Sequence, residues 1–142
     1  MGVFMDLLKY LSERALDFVT SQLFFNAESP DNLKYALKAG YDINTVDSSG
    51  NNAIFGCRTL EALDFLLSNE VNIHHINKEG QNALFHQKNP EILKKLIELG
   101  LDTSHTDTKG YTCIFAHYRD PEGLQVLLNA GCYINHVDNK ER

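Results

Sequence analysis

Residues 77–107 read NKEGQNALFHQKNPEILKKLIELGLDTSHTD, and this pattern recurs along the chain with a period of 30 residues. The pattern begins once earlier, at Asp47, and once later, at Asp107. One inserted residue after Phe115 then brings residues 124–131 into register. A fixed period in this range indicates copies of one supersecondary unit stacked as a solenoid.

Every copy carries the same signal for the start of a helix. A side chain with an acceptor oxygen is followed by Pro or Leu and then by an acidic residue, which are the preferences of an N-cap and the first helical turn. Apolar residues at i, i+3 and i+4 then predict one buried stripe per helix. The four predicted N-caps are Ser29, Thr59, Asn89 and Asp120.

The helices are predicted to end at residues that adopt a left-handed conformation. Gly40, Gly100 and Gly131 occupy this position in three copies, where glycine is favoured. The fourth copy has Glu70, so we expect strain of about 1 kcal/mol there. Each helix is followed by a tight turn that opens with Asp or Asn and closes with Gly.

The amino-terminal segment matches the repeat poorly. Apolar residues recur every three or four positions over residues 3–19, which predicts a helix that caps the stack. The resulting domain boundaries are a capping helix at 1–20, repeats at 21–49, 50–79, 80–109 and 110–138, and a tail at 139–142.

Composition limits the partners and the compartment. The net charge is −6, which disfavours nucleic acid and anionic membrane and suits a basic protein. No secretory signal or membrane-length apolar run is present, and the sequence predicts a cytoplasmic protein. The three cysteines have no zinc-binding spacing and are interpreted as reduced, buried thiols. No metal or cofactor is predicted.

These repeats resemble the ankyrin family over residues 21–138. The resemblance rests on the Asp-x-x-Gly turn, the leucine columns and the closing glycine, and it implies an all-α, ankyrin-type helix-turn-helix solenoid with short β-turn loops between repeats. The units have 30 residues rather than about 33, in a trimmed, bacterial-looking style, so the first helices are expected to be short. The family's Thr-Pro-Leu-His signature is replaced by segments ending in Phe55, Phe85 and Phe115, which predicts stacking by apolar burial.

Several histidines are candidates for functional groups. His75, His105 and His136 share a column and His74 adjoins it. Packed layers lie about 10 Å apart and zinc ligands about 2 Å from the ion, so a shared metal is disfavoured. We interpret them as surface loop histidines; a pH-sensitive group is the alternative.

One further pair, Cys113 and His117, has i, i+4 spacing. A catalytic pair would need a nucleophile within reach of its base, whereas Cys113 is expected to face the core. The sequence therefore predicts no enzyme.

What remains is a surface formed by the turns and the first helices, which the resemblance implies is a binding face. Tyr111 and Tyr118 are the expected anchors, because tyrosine offers contact area with little entropy to lose. The alternative is a solvated face without a partner. The predicted partner-binding residues are Ser48, Ser49, Asn51 and Gly56, then Lys78, Glu79, Gln81 and His86, then Thr108, Lys109, Tyr111, Ala116 and Tyr118.

The expected function is non-catalytic protein binding by a chain that is monomeric when free. Its more specific form is a stoichiometric inhibitor or immunity-type protein that masks one partner, such as a basic toxin. The alternative is an adaptor or host-targeting effector scaffold, in which case the chain would be a fragment of a longer protein.

Overall fold

The structure is a computed structural model that describes residues 7–132. Within that range the protein is all-helical and contains no strand, which confirms the predicted all-α class. The bounded α-helices are α1 (Glu13–Phe25), α2 (Pro30–Lys38), α3 (Leu60–Ser68), α4 (Pro90–Glu98) and α5 (Pro121–Asn129). Short 3₁₀ helices precede the last three, namely η1 (Ala53–Phe55), η2 (Ala83–Phe85) and η3 (Cys113–His117). The predicted residues 133–138 and the tail at 139–142, including His136, lie outside the described residues.

The helices α2 to α5 begin where the sequence predicts. The side chains of Ser29, Thr59, Asn89 and Asp120 each accept a hydrogen bond from a backbone N–H in the first turn of their helix. These bonds satisfy donors that have no partner within the helix. The predicted caps are therefore confirmed. The first helices of the last three units, η1, η2 and η3, are short, as expected.

The position of Glu70 is also as predicted. Its φ is +64°, whereas φ of the preceding Asn69 is −104°, so Glu70 adopts the left-handed conformation. The equivalent Gly40 and Gly100 have φ of +108° and +103°. The repeat thus imposes one backbone conformation whether or not glycine is present.

The amino-terminal helix differs from the prediction. The prediction of one helix over residues 3–19 is wrong, because the described chain is not helical from 9 to 12 and α1 begins at Glu13. Ser12 caps α1 by accepting a hydrogen bond from the backbone N–H of Ala15. The helix continues past residue 20 to its end because Phe24 is fully buried, with its ring 5.1 Å from that of Tyr41. Residues 3–6 lie outside the described range.

One apolar core runs through the helical units. Each of α1 to α4 contacts the next α-helix, and η2 contacts both η1 and η3. The turns also join edge to edge: the N–H of Lys78 donates to the carbonyl of Ser49 (3.1 Å), and Thr108 donates in the same way to Glu79 (3.0 Å). The core residues with no exposed surface include Phe24, Leu33, Ile54, Leu63, Leu66, Leu84, Ile92, Leu93, Leu96 and Leu127.

Apolar burial stacks the units, as expected, and polar side chains link neighbouring units as well. Buried Gln87 donates from Nε2 to the carbonyl of Ile54 (3.0 Å), and buried His117 donates from Nε2 to that of Leu84 (2.7 Å). Each bond spans 33 residues and ends in the preceding unit. Two cap side chains add similar bonds to carbonyls of the preceding unit, Thr59 to Glu28 (3.0 Å) and Asn89 to Arg58 (2.9 Å).

Candidate binding face

The 3₁₀ helices and the Asp/Asn-to-Gly turns form one face, which we call the η face. A single column of side chains shapes it, because residues 26, 56, 86 and 116 lie at equivalent positions and differ in size. Gly56 and His86 line one recess of this face, and Ala116 lines another.

The first recess, which we call the Gly56 recess, lies between η1 and η2 and has a volume of about 410 Å³. Gly56 lines it where the chain packs closely: φ is −130°, so glycine is not needed for conformation, but a Cβ would collide with the carbonyl oxygen of Phe25. A smaller depression of about 240 Å³ shares Asn26 and His86 and reaches the turn at Asp47. The recess is also lined by Arg58, Gln87, Lys88 and Asn89.

His86 is held in place in the wall of the Gly56 recess. Its Nε2 lies 2.6 Å from Oε1 of Gln81, and its ring centroid lies 5.6 Å from that of Phe55. Burial and then the nearby charge of Lys88 lower the pKa of His86 below its ordinary value. Because the amide oxygen can only accept, Nε2 carries the proton in this contact.

The second recess, the Tyr111 recess, lies between η2 and η3 and has a volume of about 230 Å³. The rings of Tyr111 and Phe115 lie 5.0 Å apart, and Phe115 is 38% exposed. Its equivalents Phe55 and Phe85 are only 3% and 4% exposed, and Phe25 is partly buried, so Phe115 is the most exposed residue of the phenylalanine column. The sequence did not indicate Phe115 as a site residue because the column was expected to pack in the stack.

The predicted site residues are distributed over these features in three groups. Glu79, Gln81, Thr108, Lys109, Tyr111 and Ala116 line the Tyr111 recess, whereas Asn51, Gly56 and His86 line the depressions around Gly56. Ser48, Ser49 and Lys78 lie on the adjoining turns. Tyr118 is 68% exposed but lies apart from both recesses, with the Arg119 guanidinium 5.2 Å from its ring centroid.

Several predicted residues already serve the stack. Nζ of Lys78 donates to the carbonyl of Ser48 (2.8 Å), and Oδ1 of Asn51 accepts from Nδ2 of Asn77 (2.8 Å). Gln81 accepts from Asn77 as well (3.0 Å). The side chains that remain exposed for a partner on the turns are those of Ser48, Ser49, Glu79, Thr108 and Lys109.

The column histidines bind the backbone and are not free on loops, which corrects their interpretation. Nε2 of His75 lies 2.6 Å from the carbonyl oxygen of Gly50, and Nε2 of His105 lies 2.7 Å from that of Gly80. Both side chains are half-buried, whereas the adjoining His74 is exposed, as expected. His75 joins the loop after α3, and His105 the loop after α4, to the Asp/Asn-to-Gly turn that precedes the same helix.

Cys113 and His117 are not arranged as a nucleophile and its base. The Cys113 thiol points to the carbonyl of Thr103 (3.8 Å), which also accepts from the Cys132 thiol (3.3 Å). Its hydrogen bond with Cys132 and its burial raise the pKa of Cys113, which suppresses the reactive thiolate. The same bond lowers the pKa of Cys132 to about 7.

His117 instead pairs with Asp120, whose Oδ2 lies 2.9 Å from Nδ1. Burial works to raise the pKa of Asp120, but hydrogen bonds from His117 and from the N–H of Gly123 together hold that pKa below its ordinary value. The pair thus has a structural setting at the start of α5.

Between residues 7 and 132, no cluster of three or more histidine, cysteine or acidic side chains could hold a metal ion. None of the helices described there is both long and apolar enough to cross a membrane. No protein-family model matches this chain, and no curated protein is significantly similar to it.

Proposed function

We propose that this chain is an ankyrin-type solenoid that binds another protein through its η face without catalysis. Helical units that repeat every 30 residues and contact their neighbours support the architecture. One observation carries the functional proposal: side chains at equivalent packing positions are kept, while those facing outward from the η face change from unit to unit. A surface of this kind can be specific for one partner, because the stack does not require its exposed residues.

The sharper form of the proposal is a stoichiometric inhibitor that masks one protein, in the manner of an immunity protein. The Tyr111 recess supports it best, because an exposed aromatic pair beside Lys109 and Glu79 combines apolar area with charge of both signs. Such clusters dominate the affinity of many interfaces. The net charge of −6 favours a basic partner through long-range attraction.

The test is a pull-down with tagged protein from a lysate of the source organism, followed by mass spectrometry and titration calorimetry. We expect one dominant protein in a one-to-one complex, lost with Tyr111→Ala. Tyr10→Ala is the matched control, because Tyr10 is 75% exposed and does not line either recess. Equal capture by both variants would contradict the η face as the binding face, and no stoichiometric partner would contradict the inhibitor.

A further inference from the structure

The Gly56 recess has an electrostatic character unlike that of the protein as a whole. The chain carries 19 acidic and 13 basic residues, yet neither Asp nor Glu lines the 410 Å³ recess. Its charged lining residues are Arg58 and Lys88, at equivalent positions in neighbouring units. An acidic protein thus presents a locally cationic concavity.

Both cations are available to a ligand. Arg58 is exposed and forms no ion pair with any carboxylate in the described residues. Lys88 is exposed too, and its one hydrogen bond runs to the carbonyl of Ala116 (3.2 Å), which leaves two of its three ammonium protons uncommitted. The carboxylates around the recess already have partners: Asp120, whose pKa the charge of Lys88 helps to lower, accepts from His117 and from the N–H of Gly123. Asp47 in the adjoining depression accepts from the N–H groups of Ser49 and Asn51.

The amide side chains of Gln87 and Asn89 in the recess wall already have hydrogen-bond partners, so they do not compete with the two cations for a ligand. Gln87 donates to the carbonyl of Ile54 and accepts from the N–H of Asn89. Asn89 donates to the carbonyl of Arg58 and accepts from two N–H groups of α4. Because these amides are hydrogen-bonded within the stack, they hold the wall in place. The side chains of Arg58 and Lys88 are the part of the recess that can adjust to a ligand.

His86 lines the same recess beside the two cations. Burial has the largest effect on the pKa of His86 and lowers it, and among the charges that of Lys88 has the largest effect and lowers it too, while Glu79 and Asp47 each raise it less. His86 therefore remains a neutral wall beside two cations at neutral pH. A negatively charged group entering the recess would meet no like charge among its lining residues.

We propose that the Gly56 recess receives an aspartate or glutamate side chain from an extended acidic segment of the bound protein. This inference rests on the proposed function and names the chemistry of one contact within it. Arg58 supplies a planar fork that suits a carboxylate, and Lys88 supplies a second charge from the neighbouring unit. A volume of about 410 Å³ admits one acidic side chain together with part of its backbone.

The local and the overall charge act at different distances. At physiological salt the screening length is about 8 Å, so the cations at the recess dominate what binds there, while the net charge influences approach from farther away. A long polyanion such as nucleic acid would also meet the remaining acidic surface and be repelled. A short acidic segment avoids that repulsion.

The test uses the full chain labelled with ¹⁵N and a ten-residue peptide of alternating Glu and Gly. We expect amide shifts confined to Gly56, Arg58, Lys88 and their neighbours. Charge reversal with Arg58→Glu and Lys88→Glu should weaken the peptide at least tenfold. The control, Lys94→Glu with Lys95→Glu on α4, makes the same charge change away from the recess and should alter affinity less than twofold.

Three results would overturn the inference. These are equal binding of a Gln-Gly peptide, equal weakening in the control variant, and equal shifts from inorganic phosphate at matched ionic strength. If charge reversal disturbs the fold, Arg58→Gln with Lys88→Gln replaces it and should still weaken the peptide severalfold. Partner capture without peptide shifts would contradict the recess alone, whereas peptide shifts without any captured partner would contradict the proposed function alone.

Discussion

Gln87 and His117 occupy equivalent positions in neighbouring units, and each donates a hydrogen bond to the carbonyl 33 residues earlier. They differ in what the rest of the side chain does. Gln87 is a neutral amide whose oxygen accepts from the N–H of Asn89 (3.1 Å). His117 presents its other nitrogen to the carboxylate of Asp120 (2.9 Å).

The surroundings of the two residues differ accordingly. The histidine lies in a 3₁₀ helix of five residues, whereas η2 has three. Gly123 takes the place of Ile92, since a Cβ at that position would meet both Nδ1 of His117 and the carboxylate of Asp120. The comparison teaches that two units place a donor at one position, and that each of the two has neighbouring residues adapted to the donor it carries.

The largest expected effect on stability comes from removing the hydrogen-bond donor His117. His117→Ala leaves the carbonyl of Leu84 without its partner, opens a cavity and isolates Asp120, so the free energy of unfolding should fall by about 3 kcal/mol. Urea unfolding at pH 7 measures this change. Tyr118→Ala removes an exposed neighbouring ring and should cost about 0.5 kcal/mol or less. Equal losses would mean that the buried link is unimportant.

A second prediction replaces residues of the last unit by those at the equivalent positions of the preceding unit. Gly123→Ile should destabilise the protein by about 2 kcal/mol, because the new side chain overlaps His117 and Asp120. Adding His117→Gln should recover part of that loss, since an amide is the donor that accompanies isoleucine in the preceding unit. A double-mutant cycle on unfolding free energies measures the coupling, and strictly additive losses would contradict adaptation.

The ionisable link should respond to pH. The folded pKa of Asp120 is lowered, so its contribution to stability is fully present above the unfolded pKa near 3.9 and is lost as the pH falls through the folded pKa. Asp120→Asn should reduce the unfolding free energy by about 1.5 kcal/mol at pH 7 and by less below pH 4. The control is Asp64→Asn, because Asp64 is an exposed residue of α3. A difference that stays constant with pH would exclude this role.

The smallest effect extends the comparison to the helix ends, where Glu70 and Gly100 share one conformation. Glu70→Gly should raise the unfolding free energy by about 1 kcal/mol and increase the melting temperature, because glycine adopts positive φ without strain. Gly100→Ala should have the opposite sign. An unchanged melting temperature for Glu70→Gly would show that glutamate is held there without strain.

Local signals were readable from the sequence, and tertiary ones were not. Asp120 was identified as a cap because cap, proline and acid follow one another along the chain. The buried link was missed because its column contains Ala27, Cys57, Gln87 and His117, which share no chemistry. The start of α1 was missed because apolar spacing continues through the sequence around Ser12.

The candidate site shows the same division. Tyr111 and the turn residues were expected on the η face because the period identifies what the core does not need. Arg58 and Lys88 were missed, since each precedes a cap and resembles an ordinary solvated charge in the sequence. Only the packing of η1 against η2 brings the two side chains to one recess.

Four side-chain links between units share one direction, which has a consequence for how the protein is made. Thr59, Gln87, Asn89 and His117 all donate from the later unit, and every acceptor is a main-chain carbonyl of the unit before it. A ribosome releases the chain from its amino end, so each acceptor emerges before the donor that will bind it. Newly made units can dock one after another onto a completed surface, and the donor side chains that direct docking belong to the unit that emerges later.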